Sequence, residues 1–545
     1  MPNIAQHLRR MSEQWPSRPA VISAAATDHS LSQWTFRDLE AVSDRLAHGF
    51  QQVGIRPGLR TVLMVPPNLD FFALTFALFK LGAVPVLIDP GMGLRNLGKS
   101  LAEAGPEAFI GSFKAQIARL LLGWARKTIS IRITAGTRTL AGGYSLKQIS
   151  ELGAGRGSFP LLDPGPGEMA AILFTSGSTG PAKGVVYSHD YFELQIEHIR
   201  RLYGIEPGEI DLPTFPLFAL FGPALGMTAV LPDMDPTRPA QVDPAGIIAA
   251  IERFRVTSMF GSPAVINRVG RYGEGRGVKL SSLRRVIVAG APVSPKVLQR
   301  FAELLPETSQ VFTPYGATEC LPVASIGSHE ILGETRHQTD LGRGVCVGLP
   351  VPGLTVKIIR ISDEALETWD DSLELAAPEF GEIAVKGPHV TRSYYNRPEA
   401  NALAKILDSS DGGFYHRMGD IGYRDERGRI WFCGRKSQRV VTRAGTFFTI
   451  PCEAVFNVHP AVSRTALVGV RLDDDAEPVL CVELEPRVSM SRNKLRAELA
   501  ALAARYPHTK AITTFLFHPG FPVDRIRWRH FLHGLSKLQH CRFKW

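Results

Sequence analysis

The chain has little that could hold a metal or a disulfide framework. Its 545 residues carry only six cysteines, at Cys320, Cys346, Cys433, Cys452, Cys481 and Cys541, with no C-x-x-C pair. The histidines are equally dispersed, so no zinc-ligand set emerges, and scattered thiols suit a reducing cytoplasm. The opening MPNIAQHLRRMSEQ has no apolar stretch after its arginines, which argues against a secretory signal. Internal repeats and low-complexity tracts are lacking too. Residues 214–232 carry no charge over a length that could span a bilayer. Pro216, Gly222, Pro223 and Gly226 would break such a helix repeatedly, so a buried strand and loop lining an apolar cavity is the expectation. No basic stripe interleaves with aromatics, which excludes a nucleic-acid partner. The net charge of +10 falls to +4 without Arg525, Arg527, Arg529, Lys537, Arg542 and Lys544, in a closing segment that has no acid.

What is present is ordinary globular composition, 44% hydrophobic and 21% charged, on a chain long enough for more than one domain. Helical and strand patterns alternate early: a helix at 36–53, a strand at 61–65, a helix at 69–81 and a strand at 84–88. Helices at 244–254 and 295–305 and strands at 256–260 and 283–289 follow. This alternation predicts layered α/β structure with parallel strands. From about residue 380 the pattern turns to strands such as GEIAVKG and GRIWFCG. Compact units at 455–470 and 479–504 suggest a small α+β domain. Residues 160–167 read as a Pro/Gly linker.

That linker delivers the chain to its most informative run, TSGSTGPAKGV at 175–185. Thr175, Ser176, Ser178 and Thr179 supply hydroxyls, Gly177 and Gly180 let the backbone bend, and Lys183 adds an ammonium. Such a loop can turn N–H groups, hydroxyls and one cation toward a polyphosphate. A plain turn needs only a couple of Gly or Asn residues. It is not a Walker loop, because Lys183 precedes Gly184. A formal Walker match does occur at 93–100, GLRNLGKS, but Leu94, Leu97 and Leu101 fall at helical spacing. An amphipathic helix after Pro90-Gly91 is the expectation there. A P-loop kinase built on Lys99 is the corresponding minor alternative.

Further segments need one another. Tyr315-Gly316-Ala317-Thr318-Glu319 offers an aromatic face, a hydroxyl and a carboxylate suited to magnesium. Asp420 follows a glycine turn and can accept from ribose hydroxyls, and Arg435 is a second polar group. In this order the motifs resemble the adenylate-forming superfamily of acyl-CoA synthetases, luciferases and peptide-synthetase adenylation domains, up to about Asp524. The resemblance implies a large N-terminal α/β adenylation domain at 1–434. A small mobile α+β domain would follow at 435–545, atypical from 525 on. It implies ATP and Mg2+ as cofactors. Thr175 to Gly180 and Lys183 would hold the β- and γ-phosphates. Gly290, Ala291, Pro292, Tyr315 and Gly316 would frame the adenine. Thr318 would meet the α-phosphate, Glu319 the magnesium, and Asp420 and Arg435 the ribose. A carboxylate would be joined to AMP with loss of pyrophosphate, a displacement that needs positioning and charge neutralisation above all.

The stretches FFALTFALFKLGAVPVLIDPGMG at 71–93 and FPLFALFGPALG at 215–226 look like the β-lactone synthetases of bacterial long-chain olefin biosynthesis. That likeness implies adenylation of a long-chain 2-alkyl-3-hydroxy acid and attack by its own hydroxyl to close a β-lactone. It also implies membership of an olefin-pathway assembly. Phe215, Phe218, Phe221 and Gly222 are the candidate wall of an alkyl pocket, with ordinary buried core as the alternative. Ala219 stands where many acyl-CoA ligases have histidine after Pro-Leu-Phe. Ser437 stands where an Asp or Lys is frequent two residues after the arginine, in mild agreement with a reaction that needs no thiol. The catalytic lysine that ends such chains has no clear counterpart: His530 falls near its place and Lys537 lies too far along. A shifted reading frame near Asp524 is the favoured expectation. A basic-aromatic tail touching anionic membrane and a catalytically impaired relative are the others. The rival functions are a long-chain acyl-CoA ligase and a non-catalytic nucleotide- or lipid-binding protein. The expected setting is cytoplasmic, with peripheral membrane association as a variant.

Overall fold

The computed structural model describes residues 3–24, 32–136, 138–175, 182–443, 445–472, 475–486, 488 and 490–521. Two compact units arise: one from the chain up to Pro322 with Pro388–Asn401, the other from Val323–Gly387 with the chain from Ala402 on.

The first unit holds two largely parallel sheets. One runs in the order Tyr144–Ser145, Ile131–Ala135, Ala108–Ser112, Arg60–Met64, Val84–Ile88, Met169–Thr175, Lys183–Ser188, and only the last pair is antiparallel. The other orders Pro19–Ser23, Thr228–Leu231, Ile210–Pro213, Ser258–Gly261, Arg285–Val288 and Gln310–Ala317 in parallel. The alternating pattern predicts this layering, and most element ends match within two residues. The helix Phe36–Gln52 starts at a capping box, Thr35 with Asp38. The helix Leu69–Leu81 is capped by Asn68, stops at Gly82 in the left-handed region (φ 71°), and is buried almost all round.

Two segments sharpen the expectations. Residues 94–104 form the amphipathic helix Leu94–Ala104, with Leu97 and Leu101 buried but Leu94 and Lys99 exposed. The uncharged stretch is not strand and loop alone: short helices Pro216–Ala219 and Phe221–Ala224 precede the buried strand Thr228–Leu231. Its prolines sit where they start or tolerate helical turns. No helix among the described residues is long and apolar enough to cross a membrane.

The second unit carries an antiparallel sheet in the order Thr355–Ile359, Gly381–Lys386, Gly413–Arg424, Ile430–Arg435, Val345–Pro350. It also has a three-stranded sheet of Val462–Leu472, Asp475–Leu484 and Thr514–His518. The helices Thr449–Asn457 and Arg492–Ala503 contribute Val455, Phe456, Leu495 and Leu499 to a core shared with Leu480, Val482 and Phe515.

One buried acid makes stability depend on pH. Burial pushes the Asp211 carboxyl up to about 7, opposed by hydrogen bonding to Ser258 and by Arg285, with Glu209 adding to the rise. The folded pKa therefore lies above the unfolded value near 3.8. Stability is fullest below that lower value, falls as pH climbs toward about 7, and levels off beyond. Asp211→Asn keeps the shape of the protonated acid. Thermal melts at pH 5 and pH 8 should show a smaller loss for this variant than for the parent, and equal losses would refute the assignment.

Candidate active site

The strand Met169–Thr175 and the strand Lys183–Ser188 pair antiparallel with Thr175 opposite Lys183. The residues that flank the hydroxyl-rich run are therefore paired in a sheet. Ser176, Gly177, Ser178, Thr179 and Gly180 lie outside the described residues. Gly184 is required by packing: a Cβ there would come within 2.6 Å of the Phe174 ring and 2.9 Å of Ile172. That close approach lets the lysine strand lie against its partner.

Lys183 points over the face of Tyr394, 4.6 Å from the ring centroid. The Tyr394 hydroxyl donates to Glu319 Oε1 at 2.5 Å. One tyrosine thus sits between the predicted phosphate lysine and the predicted magnesium carboxylate. Partial desolvation pulls the Lys183 pKa below the usual lysine value; Glu319 draws it back up and Arg397 lowers it further. The residue as a whole remains exposed. It suits a site that receives an anion from outside.

Tyr394 is itself fixed by its neighbours. Residues 393–395 hydrogen-bond along the edge of the lysine strand, with Val186 N donating to Ser393 O (3.1 Å) and Tyr395 N to Gly184 O (2.7 Å). Asn401 grips the Tyr394 backbone from both sides, accepting from its N–H at 2.7 Å and donating to its carbonyl at 3.2 Å. Arg397 forks onto Glu103 at 2.9 and 2.6 Å.

The segment bearing Thr318 and Glu319 has four backbone carbonyls held from outside. Tyr187 Oη donates to Thr318 O at 2.7 Å and Thr391 N to Glu319 O at 2.8 Å. Gln195 Nε2 donates to Leu321 O at 3.1 Å, and His389 Nε2 to Pro322 O at 3.2 Å. Burial keeps both donors in the right state. It raises the Tyr187 phenol, which stays protonated, and lowers His389 to about 4, which keeps that ring neutral. Gly316 is also dictated by space, since a Cβ would lie 2.5 Å from Cys320 O. Tyr315 is buried, and Gly290 adopts φ +98° ahead of Ala291 and Pro292.

From Tyr187 an aromatic series leads away. Its ring lies 4.9 Å from Phe192, Phe192 is 6.4 Å from Phe221, Phe221 is 6.0 Å from Phe218, and Phe218 is 5.9 Å from Phe215. Phe218 also stacks on Phe260 at 3.9 Å. Gly222, by contrast, is buried against Ala229. In the second unit, Asp420 and Arg435 stand opposite each other across two strands and form an ion pair at 3.0 Å. His530 and Lys537 lie outside the described residues.

Sequence reasoning missed Tyr394, Tyr187, Gln195 and His389. Tyr187 carries a period-two signal, because Lys183, Val185 and Tyr187 share one face of their strand. Tyr394 lies more than two hundred residues from Lys183, and nothing local marks it.

A layered α/β fold in which a lysine and a carboxylate meet at one aromatic side chain is the setting of an enzyme that handles an anionic ligand. The chain belongs to the AMP-binding enzyme family, whose sequence model matches residues 8–395. It is 49% identical over 534 residues to an olefin β-lactone synthetase of Xanthomonas campestris pv. campestris, covering 96% of this chain and 94% of that one. It is likewise 49% identical over 535 residues to an olefin β-lactone synthetase of Stenotrophomonas maltophilia, covering 96% and 95%. Among solved structures, the anthranilate CoA ligase AuaEII in complex with anthranoyl-AMP superposes with a TM-score of 0.80 at 18% identity, over 98% of both chains. An amide bond synthetase from Marinactinospora thermotolerans gives 0.78 at 23% identity, over 97% and 99%. Those two likenesses establish the fold.

Proposed function

We propose that the protein adenylates a long-chain 2-alkyl-3-hydroxy acid with ATP and closes it to a β-lactone. The observation that carries the adenylation is the meeting of Lys183 and Glu319 at Tyr394, the lysine over its ring and the carboxylate at its hydroxyl. The identity with two olefin β-lactone synthetases over nearly the whole chain supports the choice of acid and the ring closure.

In the first step a carboxylate oxygen attacks the α-phosphorus, and the bond to pyrophosphate breaks. Lys183, with Thr175 to Gly180, takes the β- and γ-phosphate charge, and Thr318 meets the α-phosphate. Gly290, Ala291, Pro292, Tyr315 and Gly316 frame the adenine, while Asp420 and Arg435 serve the ribose. In the second step the substrate's 3-hydroxyl oxygen attacks the acyl carbon, the bond to AMP breaks, and the hydroxyl proton leaves. Both groups belong to one molecule, so proximity replaces a bound thiol; effective molarities of about 10⁵–10⁸ M are accessible to well-oriented pairs. Phe215, Phe218 and Phe221 wall the alkyl chain.

The residues fit magnesium as a companion of the nucleotide. Among the described residues no group of three or more His, Cys, Asp or Glu could hold a metal alone. Glu319 would offer it one hard-oxygen ligand, the others coming from phosphates and water. When bound, the ion supplies charge neutralisation on the phosphates.

Incubation with ATP, Mg2+ and a synthetic 2-alkyl-3-hydroxy acid, without CoA, is expected to yield AMP, pyrophosphate and a product lighter than the acid by one water in mass spectrometry. A thioester formed only when CoA is added would replace this reading with an acyl-CoA ligase. Nucleotide binding without AMP release from any acid would mark a non-catalytic relative.

A further inference from the structure

The helix Phe113–Leu122 is amphipathic in the wrong direction for a helix packed on a sheet. Two of its three polar residues face inward: Gln116 is buried and donates to Ile133 O at 2.9 Å, and Arg119 is buried with its Nε on Gln116 Oε1 at 3.2 Å. Its apolar residues face outward. Phe113, Ile117, Leu120 and Leu121 follow the i, i+4, i+7, i+8 spacing of one helical face. Leu120 is 63% and Leu121 78% exposed, and Leu122 at the end of the helix is 49% exposed. Scattered exposed leucines need no explanation, but a continuous stripe on one face does.

The charge around it is of one sign. Between Glu107 and Glu151 the sequence has seven basic residues and no acidic one. Lys114, Arg126, Lys127 and Arg138 among them are exposed, while Lys147 pairs with Glu151 at 3.8 Å. The patch continues onto the preceding helix, Leu94–Ala104, where a Cβ at Gly98 would come within 3.2 Å of the Trp124 ring and Leu94, one turn earlier, is 62% exposed beside exposed Arg95 and Lys99.

We propose that this face, Phe113–Leu122 with its rim of lysine and arginine, docks the enzyme on an anionic lipid surface. A protein partner would be expected to meet matched donors and acceptors. Here exposed aliphatic side chains lie in a stretch of chain whose exposed charges are all positive from Lys114 to Arg138, which is the complement of acyl chains beneath acidic headgroups. The contact does not depend on the lactone chemistry; only its advantage, access to a bilayer-dissolved acid, rests on that reading.

Vesicle co-flotation of the full-length protein tests it, using phosphatidylcholine alone and with about one-third phosphatidylglycerol. Binding is expected to the anionic vesicles only and to weaken with salt. The double variant Leu120→Gln/Leu121→Gln should lose roughly tenfold or more in partitioning, since both leucines forfeit apolar burial. Its melting temperature and its AMP release with a short, soluble 3-hydroxy acid should stay at the parent's values, which keeps docking separate from catalysis. Failure of the parent to float, or equal flotation of the variant, would overturn the proposal. So would a fall in the parent's oligomeric mass on making the variant, which would mark the stripe as a protein interface.

Discussion

Lys183→Ala is expected to slow acyl-adenylate formation by about 10²–10³-fold, the usual cost of removing one pre-placed group that stabilises developing charge. The side chain opens a strand whose register is fixed by Thr175 and whose packing requires Gly184, so the ammonium cannot be replaced by a neighbour. Glu319→Gln should cost a comparable factor and raise the magnesium concentration needed for half-maximal rate. Tyr394→Phe keeps the ring beneath the ammonium but removes the hydrogen bond to Glu319. A bond to a charged group contributes about 1.5–3 kcal/mol, so the loss should be roughly ten- to a hundredfold, with the fold intact. Pyrophosphate release measured for the three variants decides the matter. A Lys183→Ala enzyme within threefold of the parent, or Lys99→Ala as the more damaging change, would move the nucleotide elsewhere.

The second large effect is on stability. Lys80 is fully buried, 0% exposed, in the helix Leu69–Leu81. Its ammonium meets Glu40 Oε2 at 2.8 Å and Asp44 Oδ1 at 2.7 Å and donates to Glu40 O at 3.1 Å. Arg9 reaches the same two acids at 3.0 and 3.6 Å. Lys80→Ala would strand two buried carboxylates beside one partly exposed arginine. Breaking a buried ion pair from one side costs about 3–5 kcal/mol. Calorimetry should show that loss in the transition of the first unit. The triple change Lys80→Met/Glu40→Gln/Asp44→Asn, which removes all three charges together, should recover most of it. A loss below about 1 kcal/mol for Lys80→Ala would show that water or Arg9 compensates.

How much of this was legible beforehand depended on the distance over which each signal acts. Asn68 and Gly82 bracket a helix by local capping chemistry, so residues 69–81 could be read directly. The leucine spacing at 94–101 disclosed a helix where a phosphate-loop pattern invited another reading, and Leu97 and Leu101 are buried as that spacing requires. The outward-facing helix Phe113–Leu122 is a counterexample. Its apolar stripe is visible in the chain, but periodicity cannot say which side faces the sheet. The short helices within 216–224 were missed because prolines can start a helical turn as readily as they end one.

The sequence by itself determined the parallel α/β layering, the hydroxyl-rich loop with its lysine, and the order of the motifs that mark an AMP-binding enzyme. These rest on interactions within a few residues or within one strand–helix repeat. Only the tertiary structure decided that Lys183 and Glu319 meet at Tyr394, that Tyr187, Gln195 and His389 hold the carbonyls of Thr318, Leu321 and Pro322, and that the leucines of the helix starting at Phe113 face outward. Such contacts join positions as much as 211 residues apart, and chain packing creates them where no local pattern of residues can announce them.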